Sequence, residues 1–165
     1  MEIVGDYLVQ AVSKIEGAVD QDLFGRSAFN RYYYAAFLRV RSLFAEIDDK
    51  LNEPQHGQIP DLLTVTLRGR VNKIIKRQEK GGILSPEDAQ GVRDQLDSSL
   101  KTLADLMRYA YSIRKIADYE PDIKIDLVDG NLGIGGCDSA AARKWGEEVM
   151  LISEQIREIW RGLGN

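Results

Sequence analysis

Three groups of residues in this chain are of types that could do chemistry. The first is Arg114-Lys115-Ile116-Ala117-Asp118-Tyr119-Glu120-Pro121-Asp122, at the end of a long amphipathic stretch. Reading back from it, Leu96, Leu100, Leu103, Met107 and Ala110 recur at alternating steps of four and three. The same apolar seam continues onto Arg114 and Ala117. An unpaired guanidinium on such a seam is costly to bury, so Arg114 needs a carboxylate partner or an anion. Both readings are open: an ion pair with Asp118 at i,i+4 spacing, or a bidentate contact to phosphate. Asp118 reads as a pairing or capping group before it reads as a chemical one. Tyr119 reads as a half-buried anchor, or as a contact to phosphate or a partner.

The second group is a single residue, His56, the only histidine of the chain. Imidazole exchanges a proton near neutral pH, so His56 is either a proton-transfer or anion-site group, or a loop residue packed at the start of the next helix. The third is a basic stripe of Arg70, Lys73, Arg77 and Lys80, with Arg68 and Lys76 beside it and Glu79 as the local acid. A polyanion would be attracted there, although a solvated helix face has the same composition.

Other candidates carry less. Tyr32, Tyr33 and Tyr34 point in different directions at helical spacing, so Tyr33 is expected in the core rather than as a stacking surface for bases. Arg31 reads as a member of an internal ion pair. Gly133-Ile134-Gly135-Gly136 lacks the Lys-Ser/Thr of a phosphate-cradling loop and reads as a hairpin end. Cys137 is the only cysteine, which excludes an internal disulfide, and it has no ligand partner at metal-binding spacing. No metal site and no cofactor is implied. Trp145 and Trp160 read as core or dimer packing.

The elements that must position these residues are helical almost throughout. At 165 residues the chain is read as a single domain over 1–165, large enough for a hydrophobic core. A net charge of −4 argues against coating nucleic acid or anionic membrane with the whole surface. No secretory leader and no membrane span is expected, which together with the lone cysteine fits a cytoplasmic protein. Val4, Leu8, Ala11, Ile15 and Val19 outline a first helix, and Ser27 after Gly25 is a candidate N-cap for a second. That helix carries Tyr33, Phe37, Val40, Phe44 and Ile47 on one face. The third opens at Pro60 with Leu63, Leu67, Val71 and Ile74 inward and stops at Gly81-Gly82. Ser85-Pro86-Glu87-Asp88 starts a fourth helix that runs to about Ala117.

Residues 122–136 alternate apolar and polar around Asp129-Gly130-Asn131, which reads as a short extended excursion or hairpin. A fifth helix then starts near Asp138 or Ser139 and buries Trp145, Val149, Ile152, Ile156 and Ile159. The expected fold is all-α: an up-down antiparallel four-helix bundle with a fifth C-terminal helix and a short extended insert.

Asn30-Arg31-Tyr32-Tyr33-Tyr34-Ala35-Ala36-Phe37, the His56-Gly57 loop and the Arg114–Asp122 helix end resemble, in that order, the HEPN superfamily, the higher-eukaryote and prokaryote nucleotide-binding domain. The likeness is to its small stand-alone prokaryotic members and covers roughly residues 2–120. It implies a helical bundle, a homodimer, and an RNA- or nucleotide-binding role in a toxin–antitoxin or defence setting, with a small nucleotidyltransferase as antitoxin. Many such relatives are metal-independent ribonucleases whose signature is an Arg followed shortly by a His. Here the equivalent position is Tyr119, a degenerate Arg-x4-Tyr motif. A free phenol titrates near 10 and a free imidazole near 6.5, so the substitution weakens the ribonuclease reading. Should the chain be an endoribonuclease, Arg114 would stabilise phosphate charge and Tyr119 or His56 would move the proton. Arg114, Asp118, Arg70, Lys73 and Arg77 would hold the RNA or nucleotide. The alternative is a catalytically silent binding or dimerisation module acting with a nucleotidyltransferase or another effector.

Overall fold

The structure, a computed structural model, describes residues 1–51, 53–128 and 131–164. Most of them are helical, as the apolar periodicity predicts. The helices are α1 (Glu2–Val12), α2 (Ala18–Ile47), the single turn α3 (Ile59–Asp61), α4 (Arg68–Lys80), α5 (Pro86–Tyr119) and α6 (Ser139–Gly162). A small antiparallel sheet of order β1-β2-β3 (Asp126–Val128, Asn131–Ile134, Cys137–Asp138) lies between α5 and α6 in sequence. The expected extended excursion is therefore a three-stranded sheet that runs slightly past it. Of the expected turn, Asp129 and Gly130 lie outside the described residues.

Two helix starts behave as their chemistry dictates. The Ser85 hydroxyl accepts from the Asp88 N–H at 3.0 Å, and the Asp138 carboxylate accepts from the Ala141 N–H at 2.7 Å. Each satisfies one of the donors that a helix N-terminus leaves open. Ser27 does not cap α2, which begins nine residues earlier at Ala18. It sits inside the helix, its hydroxyl donating back to the Leu23 carbonyl at 2.8 Å. Gly25 is no break either. A Cβ on it would lie 2.9 Å from Ile125 Cγ1, so this glycine permits close approach to the segment before β1.

The expected stripe on α1 is also displaced. Gly5 and Val12 are its buried residues and Val4 is exposed, while α1 ends at Val12, so the expected Ile15 lies beyond it and Val19 stands exposed at the start of α2. Tyr32 packs so tightly on Gly5 that a Cβ there would fall 2.6 Å from the ring. The third expected helix is not uniform: a π-helical stretch, Leu62–Leu67, joins α3 to α4. In a strict α-helix each step of four overshoots a full turn by about 40°. The wider π turn takes up part of that drift, so Leu63, Leu67, Val71 and Ile75 are all buried and the expected Ile74 is half-buried.

The chain divides into two compact units. One comprises Met1–Leu38 and Tyr109–Glu148, with Phe29, Tyr33, Ile113, Leu132 and Trp145 in its core. The other comprises Arg39–Arg108 and Val149–Asn165, with Phe44, Leu67, Ile75, Leu100 and Ile156 buried.

Candidate functional site

A helix that ends leaves its last carbonyls without intrahelical partners. In α5 these belong to the last turn, where Arg114, Asp118 and Tyr119 sit. Arg26 on α2 supplies donors at this end, beside the Glu120 N–H that the Ile116 carbonyl also accepts at 3.1 Å. Its Nη1 donates to the Ile116 and Ala117 carbonyls at 3.2 and 3.1 Å, and its Nη2 donates to Glu120 at 3.2 Å and to Ile123. The remaining N–H, Nε, donates to Asp22 Oδ2 at 2.7 Å. An arginine carries five N–H donors, and every one here has an acceptor. Arg26 is only 8% exposed, so this cationic cap is a core element.

Asp22 completes the arrangement. Its Oδ1 accepts from the Ile125 N–H at 2.9 Å, which ties the segment after α5 back onto α2. Burial works against its ionised form, but the hydrogen bonds from Arg26 and Ile125, with the nearby charges of Arg26 and Lys124, outweigh it. The net effect holds the carboxyl below the ordinary aspartate range.

On this anchored turn, Arg114 and Asp118 form the ion pair that their spacing suggests, Nη2 to Oδ2 at 2.6 Å. Asn30 on α2 donates through Nδ2 to the other carboxylate oxygen at 2.6 Å. Both oxygens of Asp118 are thus engaged, which leaves it poorly placed to accept a substrate proton. The Arg114 guanidinium lies 5.4 Å from the centroid of the Tyr119 ring, within cation–π range. Burial opposes its charge, while the hydrogen bond to Tyr119 and the charge of Asp118 favour it, and its pKa is raised on balance.

Two atoms of the cluster, Arg114 Nε and Asn30 Oδ1, are buried without a hydrogen-bond partner among the described residues. One is a donor and the other an acceptor. Tyr119, the last residue of α5, departs from the half-buried anchor expected of it: it is 64% exposed. Tyr33 is fully buried as expected, against Tyr111 and Phe37. Tyr32 is buried too, donating to Asp6 at 2.9 Å. Arg31, expected in an internal pair, is exposed.

The other expected site residues fall elsewhere. His56 is half-buried in the short 3-10 turn His56–Gln58 and belongs to the second unit, whereas Arg114, Asp118 and Tyr119 belong to the first. On the basic stripe, Arg70 is paired with Asp48 and Arg68 with Asp97, and Glu79 is taken by Arg93. Lys73, Lys76, Arg77 and Lys80 are exposed. Cys137 is buried, and burial pushes its thiol above the ordinary value.

Arg26, Asp22 and the pairing role of Asn30 went unseen in the sequence. Only the i,i+4 spacing of Asp22 and Arg26 hinted at the first two, since the Ala117 carbonyl that accepts from Arg26 lies 91 residues away and the Ile125 N–H that donates to Asp22 lies 103 away. Among the described residues no group of three or more His, Cys, Asp or Glu side chains could hold a metal ion. Among the described residues no helix is long and apolar enough to cross a membrane. Compared with known proteins, the chain matches no family model, no curated protein and no solved structure.

Proposed function

We propose that the end of α5 binds a nucleotide or single-stranded RNA, and that it works as a binding locus rather than as a ribonuclease centre. The observation that carries this is the exposed Tyr119 ring with the Arg114 guanidinium behind it. A base stacked on such a ring contributes about 1–3 kcal/mol without regard to sequence. The cation behind the ring also favours a phosphate nearby. Arg114 is already neutralised in part by Asp118, both oxygens of Asp118 are occupied, and the position after Arg114 where a ribonuclease His is expected holds Tyr119. These features favour the silent binding module over the metal-independent endoribonuclease.

In this reading the protein is an HEPN-like module of a prokaryotic toxin–antitoxin or defence system, built as an up-down helical bundle. It acts in the cytoplasm as a homodimer, alongside a nucleotidyltransferase or another effector. The motif order from Asn30 to Tyr119 supports that setting. The test is RNA binding and RNA cleavage measured side by side in EDTA. Binding that Tyr119→Ala weakens, with the RNA left intact, is the expected result. Cleavage abolished by Arg114→Ala would replace this reading with the enzymatic one.

A further inference from the structure

The unit that carries the α5 site also contains a hollow which that site does not use. Val12, Ala18, Val19, Leu23, Ile125 and Leu127 line a pocket of about 440 Å³ between the start of α2 and the segment leading into β1. That volume lies within the range of small-molecule sites, about 300–1,000 Å³. Its walls are aliphatic, yet Val19, Leu23 and Leu127 are each more than half exposed. A hollow with exposed aliphatic walls gains by covering them with an apolar body of matching size.

Polar character is confined to one side, where Gln21, Asp22 and Lys124 complete the lining. The charges there do not cancel. Asp22 is already bound tightly to Arg26 Nε at 2.7 Å and to the Ile125 N–H at 2.9 Å. The Lys124 ammonium stands 4.0 Å from the same carboxylate, with its side chain two-thirds exposed. One carboxylate thus serves two cations, and the solvent-facing Lys124 at the pocket rim holds the longer of the two contacts. An apolar interior with a cation at its edge, whose carboxylate is shared with Arg26, complements an amphiphile with an aliphatic tail and an anionic head.

We propose that this pocket is a binding site for a small aliphatic carboxylate, its tail between Val19, Leu23 and Leu127 and its carboxylate on Lys124. The site is independent of the nucleotide-binding reading, since it shares no residue with Arg114, Asp118 or Tyr119.

The test is calorimetric titration of the full chain with decanoate, decan-1-ol and decyltrimethylammonium, each below its micelle concentration. Decanoate is expected to bind saturably, and to bind more tightly than octanoate by about fourfold per methylene. The cationic amphiphile is expected to bind worst. Lys124→Gln should weaken decanoate by about threefold to fivefold and leave decanol unchanged. Ala18→Phe and Leu23→Trp fill the pocket from exposed positions, so folding should survive, as circular dichroism would verify, while both tails lose binding. The proposal is overturned by absence of saturable decanoate binding, by binding that neither filling variant disturbs, or by a Lys124→Gln protein that holds decanoate as well as before. A dimer in solution that either filling variant disperses would identify a second copy as the occupant and overturn it equally.

Discussion

Arg26 donates from α2 to the Ala117 carbonyl at 3.1 Å, across ninety-one positions of sequence, and thereby caps the helix that carries the candidate site. A buried guanidinium with five acceptors is a commitment in both directions. Removing it takes a donor from four carbonyls, of which Ile116 and Glu120 keep a backbone N–H, and takes the cation from the Asp22 carboxylate. Arg26→Met is expected to lower stability by about 3–5 kcal/mol, the cost of breaking a buried charged network from one side. Urea denaturation measures it. Hydrogen exchange should show the last turn of α5 opening first. Arg26→Lys should recover little, because an ammonium has three donors and no planar fork.

Tyr119→Ala should leave the urea midpoint where it is, since the ring is mostly exposed. Affinity for a single-stranded RNA oligonucleotide should fall by about 1–3 kcal/mol. Tyr119→Phe keeps the stacking face and is expected to keep the affinity. Equal binding by all three proteins in fluorescence anisotropy would sink the stacking role.

Asp118→Asn separates the two readings of Arg114. If Asp118 restrains the guanidinium, the amide frees a full positive charge at the end of α5, and RNA affinity should rise. The gain should shrink as salt is added, because it is electrostatic in origin. A fall in affinity would mean instead that Asp118 itself touches the ligand.

Acid stability carries a further signature. The Asp22 carboxyl is held below its ordinary value by Arg26 and the Ile125 N–H against the cost of burial. A depressed folded-state pKa gives stability that is fully present above the unfolded value, near 3.9, and is lost as pH falls through the folded one. Wild type should therefore lose stability progressively below about pH 4. Asp22→Asn should start lower and show a flatter profile in that window. Parallel profiles for the two proteins would count against the network.

Gly5→Ala tests packing alone. The new methyl would meet the rigid Tyr32 ring at 2.6 Å, so ring and helix must move apart. Overpacking of this kind costs about 1–3 kcal/mol, readable as a drop in thermal midpoint.

Much of the helical framework was legible because it depends on local pattern. The seam from Leu96 to Ala117, the face from Tyr33 to Ile47 and the caps at Ser85 and Asp138 follow from spacing and side-chain chemistry that act within a few residues. Where Gly25 and Ser27 were misread, the deciding partner was distant. A glycine before a serine looks like a helix break until Ile125 is found pressed against it. The displaced α1 stripe has the same origin, since Tyr32 selects Gly5 over Val4 as the buried position. At the site, Arg114 with Asp118 was readable from i,i+4 spacing alone. Arg26 was not, because an arginine on α2 announces nothing about carbonyls on α5. Tyr119 was misjudged because exposure at a helix end depends on where the following chain goes.

The cap on α5 also orders events in time. Arg26 is synthesised long before the carbonyl of Ile123, yet its guanidinium is complete only when that last acceptor arrives. Until then the cation remains hydrated and the end of α5 frays. Closing so long a loop is slow relative to forming either helix. The finished turn bearing Arg114 and Tyr119 therefore requires the chain through Ile123, and a growing chain does not display that surface before its first 123 residues are free to fold.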